Sequence, residues 1–189
     1  LDRGETAYTR TQGSVELCEA VAQHLTVHTI EADPADVVVT PGCKQAVLYG
    51  LMAILDAGDE VLLLSPAWPS YDGMVKLTGA VPIHVPVKRE NYHPNFENLE
   101  AAVTSKTKAI MLNSPNNPTG AVYTPEEVEE IVAFAIKHDL WILDDMIYAT
   151  LVWSDHPYTS PCTIPGGAER TITIGGWSKG WAMTGWRLG

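Results

Sequence analysis

The feature that most constrains the fold is an alternation. Short, nearly continuous runs of Val, Ile and Leu take turns with segments long enough to be helices. The strand candidates are Val37–Thr40, Glu60–Leu64, Val81–Val87, Lys108–Asn113, Leu140–Leu143 and Thr171–Ile174. Strands without polar alternation are those covered on both faces. The helix candidates are Val15–Val27, Cys43–Asp56, Pro69–Leu77, Phe96–Val103 and Pro125–His138. Thr124-Pro125-Glu126-Glu127 carries an N-cap, a proline at the first helical position and acidic residues in the first turn. Strand and helix in turn imply an α/β fold, a mostly parallel sheet with helices on its faces. Ser154–Glu169, rich in Pro, Gly and polar residues, reads as a long loop.

The length of 189 residues suits one α/β domain, and 46% hydrophobic residues can fill its core. A net charge of −11, with no basic run, argues against nucleic acid or an anionic membrane surface as partner. No apolar run approaches the roughly 20 residues of a membrane span, and Leu1-Asp2-Arg3-Gly4-Glu5 does not begin a signal peptide. Cys18, Cys43 and Cys162 are widely spaced and odd in number. They read as free thiols in a reducing compartment, so the expected location is cytoplasmic, with no metal site. The chain lacks an initiator Met and ends on what reads as the start of an apolar strand, Trp186-Arg187-Leu188-Gly189, so a piece of a longer protein is expected.

In open parallel sheets ligands sit beyond the carboxyl ends of the strands. Past Val37–Thr40 come Pro41-Gly42-Cys43-Lys44 and a helix start, where free N–H groups favour phosphate; taken alone, a merely structural glycine turn is the commoner reading. Past Glu60–Leu64, Trp68 lies between two prolines, either as a flat face for a ring or as a packing anchor. Past Lys108–Asn113, Ser114-Pro115-Asn116-Asn117-Pro118-Thr119-Gly120 is rigid turn chemistry with amide donors. Past Leu140–Leu143, Asp144 and Asp145 follow an apolar strand, where a desolvated carboxylate needs a donor or cation, unless the pair is simply an acidic helix start. Past Thr171–Ile174, Lys179 stands among Trp177, Trp181, Ala182 and Met183. Apolar surroundings there are expected to disfavour its ammonium form, as a Schiff-base lysine requires; a snorkelling surface lysine is the plain alternative. Arg187 offers a fork suited to phosphate.

Three strings, Asn113 through Gly120, Asp145-x-x-Tyr148, and Ser178-Lys179 through Met183-Thr184-Gly185-Trp186-Arg187, resemble the class I/II aminotransferases, the aspartate-aminotransferase-like branch of the fold-type I pyridoxal-phosphate enzymes. The resemblance runs from about Tyr8 to Gly189. It implies a three-layer α-β-α sandwich with a seven-stranded sheet, truncated here in its last strand. Residues 1–189 correspond to the large, cofactor-binding domain, with the N-terminal segment and the C-terminal small domain absent. The implied activity moves an amino group from an amino acid to a 2-oxo acid, with pyridoxal 5'-phosphate as cofactor, in a homodimer.

The resemblance also implies roles. Lys179 forms the Schiff base and then moves the α-proton. Asp145 pairs with the ring nitrogen, Tyr148 and Asn117 donate to the phenolic oxygen, and Trp68 stacks on the ring. The backbone of Gly42, Cys43 and Lys44, with Ser178 and Arg187, holds the phosphate, and Tyr8 reaches the phosphate of a neighbouring subunit. Met146, Gly176 and Cys43 depart from residues common in relatives, and no residue matches the arginine that takes a substrate α-carboxylate. A C–S β-lyase, a ring-forming synthase of the aminocyclopropane-carboxylate type, and the cofactor-sensing domain of a transcription regulator share the same scaffold and remain alternatives.

Overall fold

The computed structural model describes Gly4 and residues 6–189; the reading of Leu1-Asp2-Arg3 and Glu5 lies outside them. Five strands form one sheet: β1 (Glu60–Ser65), β2 (Val81–Pro86), β3 (Thr107–Asn113), β4 (Trp141–Asp145) and β5 (Thr171–Ile174), in the order β2-β1-β3-β4-β5. All four pairings are parallel. The helices are α1 (Val15–Leu25), α2 (Cys43–Ile54), α3 (Ser70–Leu77), α4 (Phe96–Ala102) and α5 (Pro125–Lys137). No helix among the described residues is long and apolar enough to cross a membrane.

Period-two alternation divides the strand residues between two cores. Leu62, Leu64, Ile110, Leu112 and Ile142 pack under α5 and α4, with Val128, Ile131, Phe134 and Leu99. Val61, Leu63, Ala109, Met111, Leu143 and Ile174 pack under α2 and α3, with Val47, Leu51, Tyr71 and Val75. The molecule is therefore the expected three-layer sandwich. Each fully buried Leu or Ile in it contributes about 1.5–3 kcal/mol of transfer free energy.

Helix α5 starts as the sequence dictates. Thr124 Oγ1 accepts from the Glu127 N–H at 3.3 Å, and Glu127 Oε2 accepts from the Thr124 N–H at 3.0 Å, a reciprocal cap.

Chain direction across the sheet sets the position of the cleft. From β1 the chain crosses by α3 outward to β2, then returns by α4 to β3 and continues by α5 to β4. Right-handed crossovers in opposite directions put helices on opposite faces and leave a crevice where the direction reverses, between the carboxyl ends of β1 and β3.

Two expectations change. The sheet has five strands among the described residues, not seven. Val37–Thr40 is extended but joins no strand of it. Its partners are Gly189, through a reciprocal pair with Thr40 at 2.7 and 3.1 Å, and Gln12. A cavity of about 700 Å³, lined by Val37–Val39 on one side and Ile172–Ile174 on the other, separates it from β5.

Candidate active site

Four strand ends deliver the site. In register, Asn113 at the end of β3 lies beside Asp145 at the end of β4, and Asp145 beside Ile174 of β5. Alternation along β4 sends Ile142 and Asp144 toward one layer and Leu143 and Asp145 toward the other. Asp145 thus points to the side of α2 and α3, where Tyr71 of α3 meets it. Asp145 is 3% exposed and Tyr71 2%.

Both oxygens of Asp145 are engaged. The Tyr71 hydroxyl donates to Oδ2 at 2.5 Å, and the Ile147 N–H donates to Oδ1 at 3.2 Å. Burial pushes this carboxyl up to about 6, while the Tyr71 and Ile147 donations pull the other way. Burial and the neighbouring Asp145 charge hold the Tyr71 phenol protonated far above its ordinary range, so it remains a donor. Asn113 fixes the loop ends: its Nδ2 donates to the Asp145 carbonyl at 2.8 Å, and its Oδ1 accepts the Asn117 N–H at 2.9 Å. Asn117 Nδ2 then reaches the Tyr148 hydroxyl at 3.5 Å.

The cationic rim is built at the start of α2. Gly42, with φ +92, precedes the helix, and a Cβ on it would fall 2.3 Å from Arg187 Nη2. That guanidinium rests on the carbonyls of Thr184 (2.9 Å) and Pro41 (3.3 Å). Lys44 extends its ammonium over the Trp68 ring, 5.0 Å from the centroid, and Tyr71 meets the same indole edge-on at 5.3 Å. Cys43 turns its thiol inward to the Gly175 carbonyl at 2.7 Å, and burial, then the Asp145 charge, pushes it up to about 12. Such a thiol is no nucleophile.

Cys43, Lys44, Trp68, Asn117, Asp145, Tyr148, Ser178, Lys179 and Arg187 line one cleft of about 230 Å³. Gly42 adjoins it through Arg187. Of the residues to which the resemblance gave a part, Tyr8 stands apart, fully exposed and outside this lining. Lys179 departs from expectation in its surroundings. Its side chain is exposed, with Nζ 5.8 Å from the Tyr148 ring centroid. Trp177 and Trp181, which were to surround it, turn toward His24 and line the larger cavity. Tyr71, Asn113 and Thr184 line the cleft without having been assigned a part.

The arrangement suits a small, flat ligand with an anionic arm. Helix N–H groups, Arg187 and Ser178 surround a place for the anion, and the passage beside Gly42 is one a side chain would fill. A buried acid at the floor asks for a cationic nitrogen, and an amine stands at the rim. Residues of this kind fit pyridoxal phosphate.

The family model of the class I and II aminotransferases matches residues 1–189. This chain belongs to that family. The aminotransferase fold is equally plain in three dimensions. The chain superposes with a TM-score of 0.94 on an aromatic aminotransferase from Pyrococcus horikoshii, at 44% identity over 99% of this chain and 51% of that one. It superposes at 0.92 on the Thermus thermophilus aspartate aminotransferase with maleate, at 40% identity over 99% and 49%. Among curated relatives, an aspartate aminotransferase of Musicola paradisiaca is 42% identical over 192 residues, covering all of this chain and 48% of the relative. An aromatic-amino-acid aminotransferase of Thermococcus litoralis is 45% identical over all of this chain and 49% of the relative. The chain spans about half the length of the curated relatives it matches. Class I and II aminotransferases are pyridoxal-phosphate enzymes.

Proposed function

We propose that this chain is the cofactor-binding large domain of a pyridoxal-phosphate-dependent aminotransferase, which moves an amino group from an amino acid to a 2-oxo acid. The observation that carries the reading is the convergence of Lys179, Asp145 and Arg187 on one cleft. When bound, the cofactor supplies an electron-withdrawing ring that takes up the charge left by α-proton removal.

The protein's share of the chemistry is local. Asp145, buried and ionisable, would keep a proton on the ring nitrogen by facing it with negative charge. Tyr148 and Asn117 would donate to the phenolic oxygen, and Trp68 would pack on the ring. Arg187, Ser178 and the N–H groups at the start of α2 would hold the phosphate, fixing the ring without touching the reacting atoms. Lys179 would supply the amine that holds the cofactor and, when free, the base that takes a proton from the substrate Cα and returns it, a role worth roughly 10²–10⁴-fold as placed general-base catalysis.

The exposed Tyr8 suits a role at a partner subunit's phosphate, so the functional unit in this reading is a homodimer. The three free cysteines suit a cytoplasmic setting.

The test is a half-reaction. Chain loaded with pyridoxal phosphate is mixed with an amino acid, and the cofactor is recovered as pyridoxamine phosphate with one equivalent of 2-oxo acid. Steady release of pyruvate from a cysteine-type substrate instead points to a β-lyase, and failure to take up cofactor sinks both readings. Gly42→Ala provides a check on the phosphate grip. Its Cβ displaces the Arg187 guanidinium from Pro41, and the backbone conformation (φ 92, ψ 160), nearly exclusive to glycine, costs a further roughly 1–3 kcal/mol. Cofactor affinity is expected to fall by about tenfold or more in a spectroscopic titration, with the fold retained.

A further inference from the structure

We propose that Tyr71 is a positioning residue that keeps Asp145 ionised and aimed into the cleft. The hydroxyl reaches Asp145 from a helix 74 residues away in sequence and donates to Oδ2 at 2.5 Å. The Ile147 N–H engages Oδ1, so the carboxylate is held at both oxygens and cannot swing. One of the two donors is a side chain, and it can be removed without touching the backbone.

Tyr71 itself has little freedom. It is buried in the core formed by α2, α3 and the sheet. Its ring meets the Trp68 indole edge-on at 5.3 Å. One residue therefore braces the acid at the floor of the cleft and the indole on its wall.

The charge consequence follows from the donor's character. A hydrogen bond to a carboxylate favours the ionised form. Few other groups near Asp145 do so. Asp144 precedes it on β4 but points to the other layer; Cys43 of α2 stays a neutral thiol; Tyr148 lines the same cleft. The cations Lys44, Lys179 and Arg187 stand on the cleft lining and are exposed. Without the phenol, a carboxyl that burial already pushes up to about 6 is expected to keep its proton further into the neutral range. A proton kept on Oδ2 is one not held on a basic nitrogen facing it.

The inference rests on the reading of Asp145 as the partner of the ring nitrogen, and its test separates the two. Asp145 is titrated in cofactor-free chain by carboxyl-carbon NMR of aspartate-labelled protein, its signal identified by loss in Asp145→Asn. In Tyr71→Phe, which keeps the ring and its packing, the midpoint is expected to move from near 6 to about 7 or above, since a hydrogen bond to a charged group is of that size. Replacing Tyr71 with 3-fluorotyrosine, a stronger donor in the same shape, is expected to move it down. A purely packing role moves neither. Cofactor affinity is expected to fall about tenfold in Tyr71→Phe, with thermal stability little changed.

A midpoint unmoved in Tyr71→Phe and by 3-fluorotyrosine overturns the inference and leaves the aminotransferase reading standing. Wild-type chain that takes up no cofactor at Lys179 overturns that reading, while the Asp145 titration still decides what Tyr71 does. If Tyr71→Phe does not fold, the fluorotyrosine arm alone carries the decision, with no downward shift counting against the proposal.

Discussion

Lys179→Ala is expected to abolish the borohydride-stable bond between pyridoxal phosphate and the chain. The bond needs a primary amine within reach of the aldehyde carbon. Lys179 and Lys44 are the lysines on the cleft lining. Lys44 holds its ammonium over the Trp68 ring at the rim of the cleft, whereas Lys179 Nζ stands 5.8 Å from the Tyr148 ring centroid, in the cleft that Asn117 and Asp145 also line. After reduction and proteolysis, the pyridoxyl label is expected on the peptide carrying Lys179 in the native chain and on no peptide in the variant. Lys44→Ala keeps the label, which controls for nonspecific modification of an exposed amine. Because Lys179 is exposed, its removal leaves no buried cavity, and the melting temperature of the cofactor-free chain is expected to be unchanged within error. Turnover in a loaded enzyme falls by the full covalent and general-base contribution, roughly 10⁴-fold or more. A label that persists in Lys179→Ala removes the central role of this residue.

The contrast between Lys179 and Tyr71 shows what sequence reading captures. Lys179, Asp145, Tyr148 and Asn117 all follow directly on apolar strands, and strand ends in a parallel sheet are brought together by the topology itself. Position along the chain was enough to predict that they share a cleft. Tyr71 sits in Ser70–Leu77 with Met74 and Val75 at i+3 and i+4, the spacing of an ordinary core face, and all three are buried. Nothing local records that its hydroxyl finds an acid on β4. The error about Lys179 has the same origin. Its neighbours along the chain are indoles, but Trp177 and Trp181 leave the turn in another direction, toward His24. Val37–Thr40 has the composition of a buried strand, yet strand status depends on a partner strand, and its long-range backbone hydrogen bonds among the described residues go to Gly189 and Gln12.

Adjacent acids on β4 are expected to separate cleanly by mutation. Asp144 and Asp145 are both buried, but the pleat points them to opposite layers. Asp144 accepts from Tyr158, and from Ser160 at 3.3 Å, and its Oδ1 has no partner. Burial pushes Asp144 up to about 7 and Asp145 up to about 6, against roughly 4 in an unfolded chain. Between about pH 4 and 7 the folded chain thus holds protons the unfolded chain has lost, so these groups make stability fall as pH rises through that window and level off above it. His28, pushed down by burial and by His24, acts in the opposite sense near its ordinary range, as a single group against two. The cofactor-free chain is expected to resist urea better at pH 5 than at pH 8, with the difference shrinking in either Asp144→Asn or Asp145→Asn because an amide has no such proton to lose. Function divides the pair where stability does not. Asp145→Asn removes the charge proposed to face the ring nitrogen, a charge-assisted bond of about 1.5–3 kcal/mol, and is expected to weaken cofactor binding or turnover by roughly 10- to 100-fold. Asp144→Asn keeps an acceptor for Tyr158, faces the other layer, and is expected to leave cofactor affinity unchanged. Equal losses of affinity in the two variants would show that β4 is held as a unit, and that Asp145 does not act alone.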